Sequence, residues 1–221
     1  MGCAAAATWL LVNGPAFADA VDGGSEDRKR LTLAELNDRL RVGDVVFIHV
    51  TPLPFKKVSS ATQSWVNHVG IVADLCGEEA TIAESTFPIS RAGPLSKFVA
   101  RSEEGRVAVA RLETPLAAAQ VREVGVASKA RLGVLYDTGF DLGSRRQYCS
   151  RFVRDVLAEA TGVMVGDVET FGTLLARNPD ASLLFWRIWF FGRIPWERQT
   201  VTPASVYHSD RLRSIFNGRV A

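Results

Sequence analysis

Four short apolar runs, at residues 44–50, 68–73, 80–85 and 106–112, constrain this chain more than any other feature. Each is too short for a typical globular helix and is rich in Val, Ile and Ala, so each is expected to be a strand. The first, Asp44-Val45-Val46-Phe47-Ile48-His49-Val50, has no polar alternation and reads as buried. The last, beginning at Arg106, alternates with period two, which predicts one more polar face. Cys76-Gly77-Glu78 interrupts the second and third runs as a turn.

Helical patterns fill the intervals. Thr32-Leu33-Ala34-Glu35 has the form of a capping box opening a helix to about Leu40, with Gly43 as its stop. Further helices are expected at 58–65, 95–100, 116–132, 149–160 and 168–176, with loops at Thr51 to Phe55 and between Pro88 and Pro94. Helices packed on a mixed sheet make an α+β protein.

The 221 residues suffice for one well-packed domain, assigned to 31–221. A formal net charge of +2 and no Lys/Arg stripe argue against a nucleic-acid partner. Residues 1–30 are read as a signal or flexible segment. Ala4 to Val12 is apolar and Ala16-Phe17-Ala18 resembles a signal-peptidase site, but no Lys or Arg precedes them. The compartment is thus left open between cytoplasm and export.

Cys149 is the candidate nucleophile. Phe152, Val153, Val156, Leu157 and Ala160 follow it at helical spacing and Gly162 ends the pattern, so the cysteine falls in a first helical turn. Free N–H groups and the positive end of the helix dipole favour a thiolate there. The plain alternative is a small buried side chain, which only a matching base argues against. A hairpin centred on residue 76 would set His68 opposite Glu84, with Cβ atoms roughly 4.5–5.5 Å apart on one face. His68 is then the expected base and Glu84 its orienting partner. Of the other histidines, His49 has no acidic neighbour in sequence and His208 lies in a polar segment. A metal site from His49, His68 and Glu84 fits no common spacing, and neither metal nor cofactor is expected.

Gly43-Asp44-Val45-Val46-Phe47, Asn67-His68-Val69-Gly70-Ile71-Val72, Ala83-Glu84-Ser85, Tyr136-Asp137-Thr138-Gly139-Phe140 and Tyr148-Cys149-Ser150-Arg151-Phe152-Val153 together resemble the YaeF/YiiX branch of the NlpC-type superfamily. The likeness covers roughly residues 40 to 212, including Glu169-Thr170-Phe171-Gly172 and Ile194-Pro195-Trp196-Glu197-Arg198. It implies a bacterial cysteine hydrolase with a circularly permuted papain-like fold, an antiparallel sheet packed against helices, and histidine preceding cysteine in the chain. It also implies an amidase or peptidase acting on cell-wall peptides or on lipid-linked amides or esters, with a non-catalytic binding module on the same scaffold as the rival class. The Cys149 N–H is the expected oxyanion donor; Tyr136, matched by the family pattern, and Gln147, near in sequence, are candidates for a second. The aromatic segment 183–196 is too short and too rich in arginine to cross a bilayer. It is expected to pack over the sheet, with membrane-surface contact through Phe185 to Trp196 or the lining of an acyl groove as alternatives.

Overall fold

The computed structural model describes residues 29–179 and 181–221. The signal-like stretch lies outside them. The chain runs through β1 (Arg30–Leu31), α1 (Leu33–Asn37), β2 (Val45–Ile48), α2 (Leu53–Thr62), β3 (His68–Asp74), β4 (Thr81–Glu84), β5 (Arg91–Pro94), α3 (Leu95–Val99), β6 (Arg106–Leu112), α4 (Ala118–Ala130) and α5 (Cys149–Thr161). It continues with β7 (Val168–Thr170), α6 (Phe171–Arg177), α7 (Leu183–Trp189), β8 (Gln199–Val201), α8 (Pro203–Tyr207) and β9 (Leu212–Val220). Seven strands form one sheet in the order β1-β9-β6-β2-β3-β4-β5, and β7 with β8 form a separate ribbon. Among the described residues, only β1 and β9 pair in parallel in the large sheet.

Both faces of the central strands are covered, which is why β2 has no polar alternation. Val45 and Phe47 join Phe152, Val153, Val156 and Leu157 of α5 on one side. Val46 and Ile48 join Leu36, Leu95 and Phe98 on the other. Removing a side chain such as Phe152 from water contributes roughly 1.5–3 kcal/mol. The polar face expected for β6 does not exist, since Val107 to Ala110 are all buried. Its charges lie near the strand ends, where Arg111 grips the buried Asp44 with bonds of 2.6 and 2.7 Å and Arg106 stacks 4.3 Å over Trp65.

The capping box at Thr32 forms as written: Glu35 N donates to Thr32 Oγ1 at 3.2 Å and Thr32 N to Glu35 Oε2 at 2.8 Å. Three boundaries differ most from the sequence expectation. First, α2 starts at Leu53, inside the predicted proline loop, because the first turn of a helix needs no intrahelical N–H and accepts proline. The segment before Pro94 is strand β5 rather than loop; it lies at the sheet edge, where a missing N–H breaks no ladder. Residues 168–170 are strand, and α6 begins only after Thr170, whose Oγ1 caps Thr173 N at 3.1 Å.

The aromatic segment packs beside the sheet, not over it. Trp186 of α7 is buried in a separate cluster with Ala61, Phe171, Leu174 and Ile194. Leu184, Ile188 and Phe191 face outward, the last 98% exposed. No described helix is long and apolar enough to cross a membrane.

Candidate active site

Cys149 is the first residue of α5, and Tyr148 in extended conformation precedes it as N-cap. The helix start is fixed from both sides. Val201 N and Thr200 Oγ1 donate to Tyr148 Oη at 3.2 and 3.3 Å, while Ser150 Oγ donates to Val201 O at 2.7 Å. Gly162 ends α5 at φ +75°, a left-handed conformation that favours glycine. Hydrophobic spacing seats the helix against β3 and β4, and its N-terminus thereby meets the strand ends that carry His68 and Glu84.

His68 opens β3 and Glu84 closes β4, and their side chains meet, His68 Nε2 to Glu84 Oε2 at 2.5 Å. The register is not the one a turn centred on residue 76 would give. Ile71 pairs with Ala83 and Val72 with Ile82, which is two residues from direct opposition of His68 and Glu84, and a bulge follows between Val72 and Asp74. An even offset keeps both side chains on one face, so they meet diagonally instead of face to face.

Burial opposes charge on the His68 ring, but Cys149 first and Glu84 second outweigh it and push its pKa up to about 9. The Cys149 side chain therefore acts on the ring it was expected to partner. His68 Nδ1 is the nitrogen available to it, since Glu84 holds Nε2 and Nδ1 is buried with no hydrogen-bond partner among the described residues. Phe55 meets the ring edge-on and Phe98 lies at a tilt, each with centroid 5.8 Å away. For Glu84, burial works against ionisation, yet His68 and then Arg101 hold the carboxyl down at about 2.

Two arginines complete the carboxylate's shell, and sequence reasoning named neither. Arg101 Nη2 lies 2.6 Å from Glu84 Oε2 and Arg91 Nε 3.2 Å from Oε1. Arg91 sits opposite Glu84 in the β4–β5 register, and the only sequence signal for it would have been recognising β5 as a strand.

Tyr136 and Gln147 form an isolated bridge just before α5. The Tyr136 hydroxyl is buried, has no nitrogen or oxygen hydrogen-bond partner among the described residues and interacts with Cys149. Burial first, then the cysteine's charge, push its pKa well above the ordinary phenol value, so it stays a proton donor. Gln147 instead contributes main chain to the site. Its carbonyl accepts from Asp137 N at 2.7 Å and Ser85 Oγ at 3.0 Å, and its side-chain Oε1 has no partner among the described residues. His49 is turned elsewhere, with Nδ1 2.5 Å from Trp65 O and Nε2 3.4 Å from Glu103, so it does not join His68 and Glu84.

Two cavities adjoin here. A groove of about 800 Å³ is lined by His68, Arg91, Arg101, Phe87 and Trp189. A pocket of about 30 Å³ reaches Cys149 among Ala61, Phe171, Leu174 and Trp186. Phe55, Tyr136 and Phe140 line both and stand at their boundary.

Comparison with known proteins agrees with this architecture. The chain is 26% identical over 175 residues to the uncharacterized protein YiiX of Escherichia coli K12, covering 79% of this chain and 85% of YiiX. It also superposes on the crystal structure of the metalloprotein YiiX from Escherichia coli O157:H7 with a TM-score of 0.71 at 25% identity, covering 81% of this chain and 98% of that one. Residues 39–216 match the model of the permuted papain-like amidase enzymes YaeF/YiiX, the C92 family. The chain belongs to that family of cysteine hydrolases, and its mainly antiparallel sheet with flanking helices is the permuted papain-like fold.

Proposed function

We propose that the protein hydrolyses an amide or ester bond with Cys149 as nucleophile, His68 as acid and base, and Glu84 as the group that orients and stabilises the imidazolium. The observation that carries the reading is the convergence of a helix-start cysteine with a buried histidine whose other nitrogen is held by a buried carboxylate. The Cys149 thiolate attacks the carbonyl carbon, and the oxygen takes up negative charge opposite the Cys149 N–H and the Tyr136 hydroxyl. The C–N or C–O bond then breaks as the His68 imidazolium gives its proton to the leaving group, and a thioester remains. Neutral His68 next takes a proton from water, the hydroxide adds to the thioester, and release of the acid restores the thiolate and imidazolium.

Cell-wall peptides are one substrate class consistent with an amidase of this family. The YiiX protein of Escherichia coli O157:H7 is described as a metalloprotein. In this chain no three described His, Cys, Asp or Glu side chains gather as a metal site would require, and Glu84 already accepts from His68 and two arginines. The mechanism accordingly passes through no metal.

Iodoacetamide should label Cys149 rapidly near neutral pH in the wild type and slowly in His68→Ala, and Cys149→Ala should abolish turnover with the fold intact. Equal labelling rates in wild type and His68→Ala, or full turnover by Cys149→Ala, would overturn the assignment.

A second reading concerns where the substrate resides. Leu184, Ile188 and Phe191 are exposed together with Arg187 and Arg193, and Trp189 on the same helix lines the groove. This pattern supports a membrane-surface contact that delivers lipid-linked amides or esters. Wild-type protein should float with anionic liposomes and Ile188→Glu should not; a wild type that remains in the dense fraction excludes the contact.

A further inference from the structure

Glu84 carries one negative charge, and two guanidinium groups are placed on it. Arg91 uses only Nε, leaving both terminal nitrogens without a partner among the described residues, and its side chain is 56% exposed. Arg101 lies 2.6 Å from Glu84 and stacks 5.0 Å from the Phe98 ring centroid, with its Nε also unpartnered. Both line the groove beside His68, and no Asp or Glu among the described residues lines it. The remaining wall is largely apolar, formed by Val50, Phe55, Phe87, Phe140 and Trp189. With His68 protonated against the Cys149 thiolate, the two guanidiniums on the single Glu84 carboxylate leave a surplus of one positive charge, most exposed at Arg91, whose side chain is 56% exposed against 28% for Arg101.

We propose that this groove recognises an anionic group, a carboxylate or a phosphate, on an otherwise apolar amide or ester substrate, with Arg91 as the principal donor and Arg101 as its support. The inference rests on the hydrolase reading, which sets the scissile carbonyl at Cys149. Glu84 bridges Arg91 and His68 through its two oxygens, so the anion would sit one carboxylate away from the imidazole, close to the bond being cleaved. Arginine's planar fork suits either oxyanion, because Nε can stay on Glu84 while the terminal nitrogens donate to the ligand. The aromatic wall takes the apolar part.

The test is binding to Cys149→Ala protein, which cannot turn the ligand over, by calorimetry below micelle-forming concentrations. N-lauroylglycine is compared with N-lauroylglycinamide, and lauroyl lysophosphatidylglycerol with monolauroylglycerol. At least one anionic ligand should bind about ten-fold or more tightly than its neutral counterpart, as a charge-assisted hydrogen bond implies. Whichever pair gives the larger ratio identifies the carboxylate or the phosphate as the source of charge. In the Arg91→Gln background the ratio should fall toward one, and Arg91→Lys should restore part of it. A purely structural role for Arg91 would weaken both members of a pair alike and leave the ratio standing. Equal affinities within both pairs, no binding by any of the four ligands, or a ratio that survives Arg91→Gln overturns the proposal. The hydrolase reading is judged separately by Cys149 alkylation in the wild type, so either can fail alone.

Discussion

The charge state of His68 offers the sharpest physical test of the site, and Cys149→Ala is the perturbation. In the native protein the buried ring is held protonated up to about 9, against 6.5 for a free histidine, although burial alone would lower it. Cys149 is the largest favourable influence and Glu84 the next. An opposite charge a few ångströms away typically moves a pKa by about 1–3 pH units, so removing the sulfur should return the His68 midpoint to about 7. At pH 8 the ring would then pass from about 90% protonated to about 10%. Imidazole proton shifts followed against pH by NMR read this directly. The chain has three histidines, and His49→Gln and His208→Gln identify the remaining resonance as His68. A wild-type midpoint near 6.5, or the same midpoint in wild type and Cys149→Ala, would refute a thiolate–imidazolium pair and with it the mechanism.

Other consequences follow from the same contacts. Glu84 titrates at about 2 in the fold against 4.5 when free, so its contribution is present above pH 4.5 and is lost as pH falls through 2. At about 1.4 kcal/mol per pH unit this is roughly 3 kcal/mol, and urea unfolding between pH 2 and 6 should show that decline in the wild type and not in Glu84→Gln. Tyr136→Phe should lower kcat by about 100-fold with little change in KM, as removal of an oxyanion donor does, and steady-state kinetics on any cleaved substrate will decide it. Gly70→Ala places a methyl 2.6 Å from Ile82 Cγ2 and 2.9 Å from Phe98 Cε2, the ring beside His68. Overpacking of this kind should cost about 1–3 kcal/mol in urea unfolding, and a variant as stable as its parent would contradict the packing described.

Much of this was legible in residue order alone. The uniformly apolar run at Val45–Ile48 announced a strand buried on both faces, and the spacing after Cys149 announced a helix with the thiol at its start. Both are local signals, because period and capping chemistry need no distant partner to be read. The Thr32 capping box is legible for the same reason. His68 and Glu84 were paired correctly from a wrong register. Side chains two residues out of step still share a face, so the partnership survived an error that an odd slip would have made fatal.

Other features were decided only when distant segments met. The arginines on Glu84 depend on β5 pairing at the sheet edge and on α3 carrying the chain on to Arg101; nothing near either residue marks it as a partner of a carboxylate. The burial of Tyr136 against Cys149 depends on a bridge to Gln147, and the placing of the aromatic segment beside the sheet depends on α2 and α6 offering it a surface. Periodicity tells a residue which way to face relative to its own element. Which groups then share a desolvated space, and so whose proton or charge is shifted, is set by long-range packing, where a few ångströms separate a reactive thiol from an inert one.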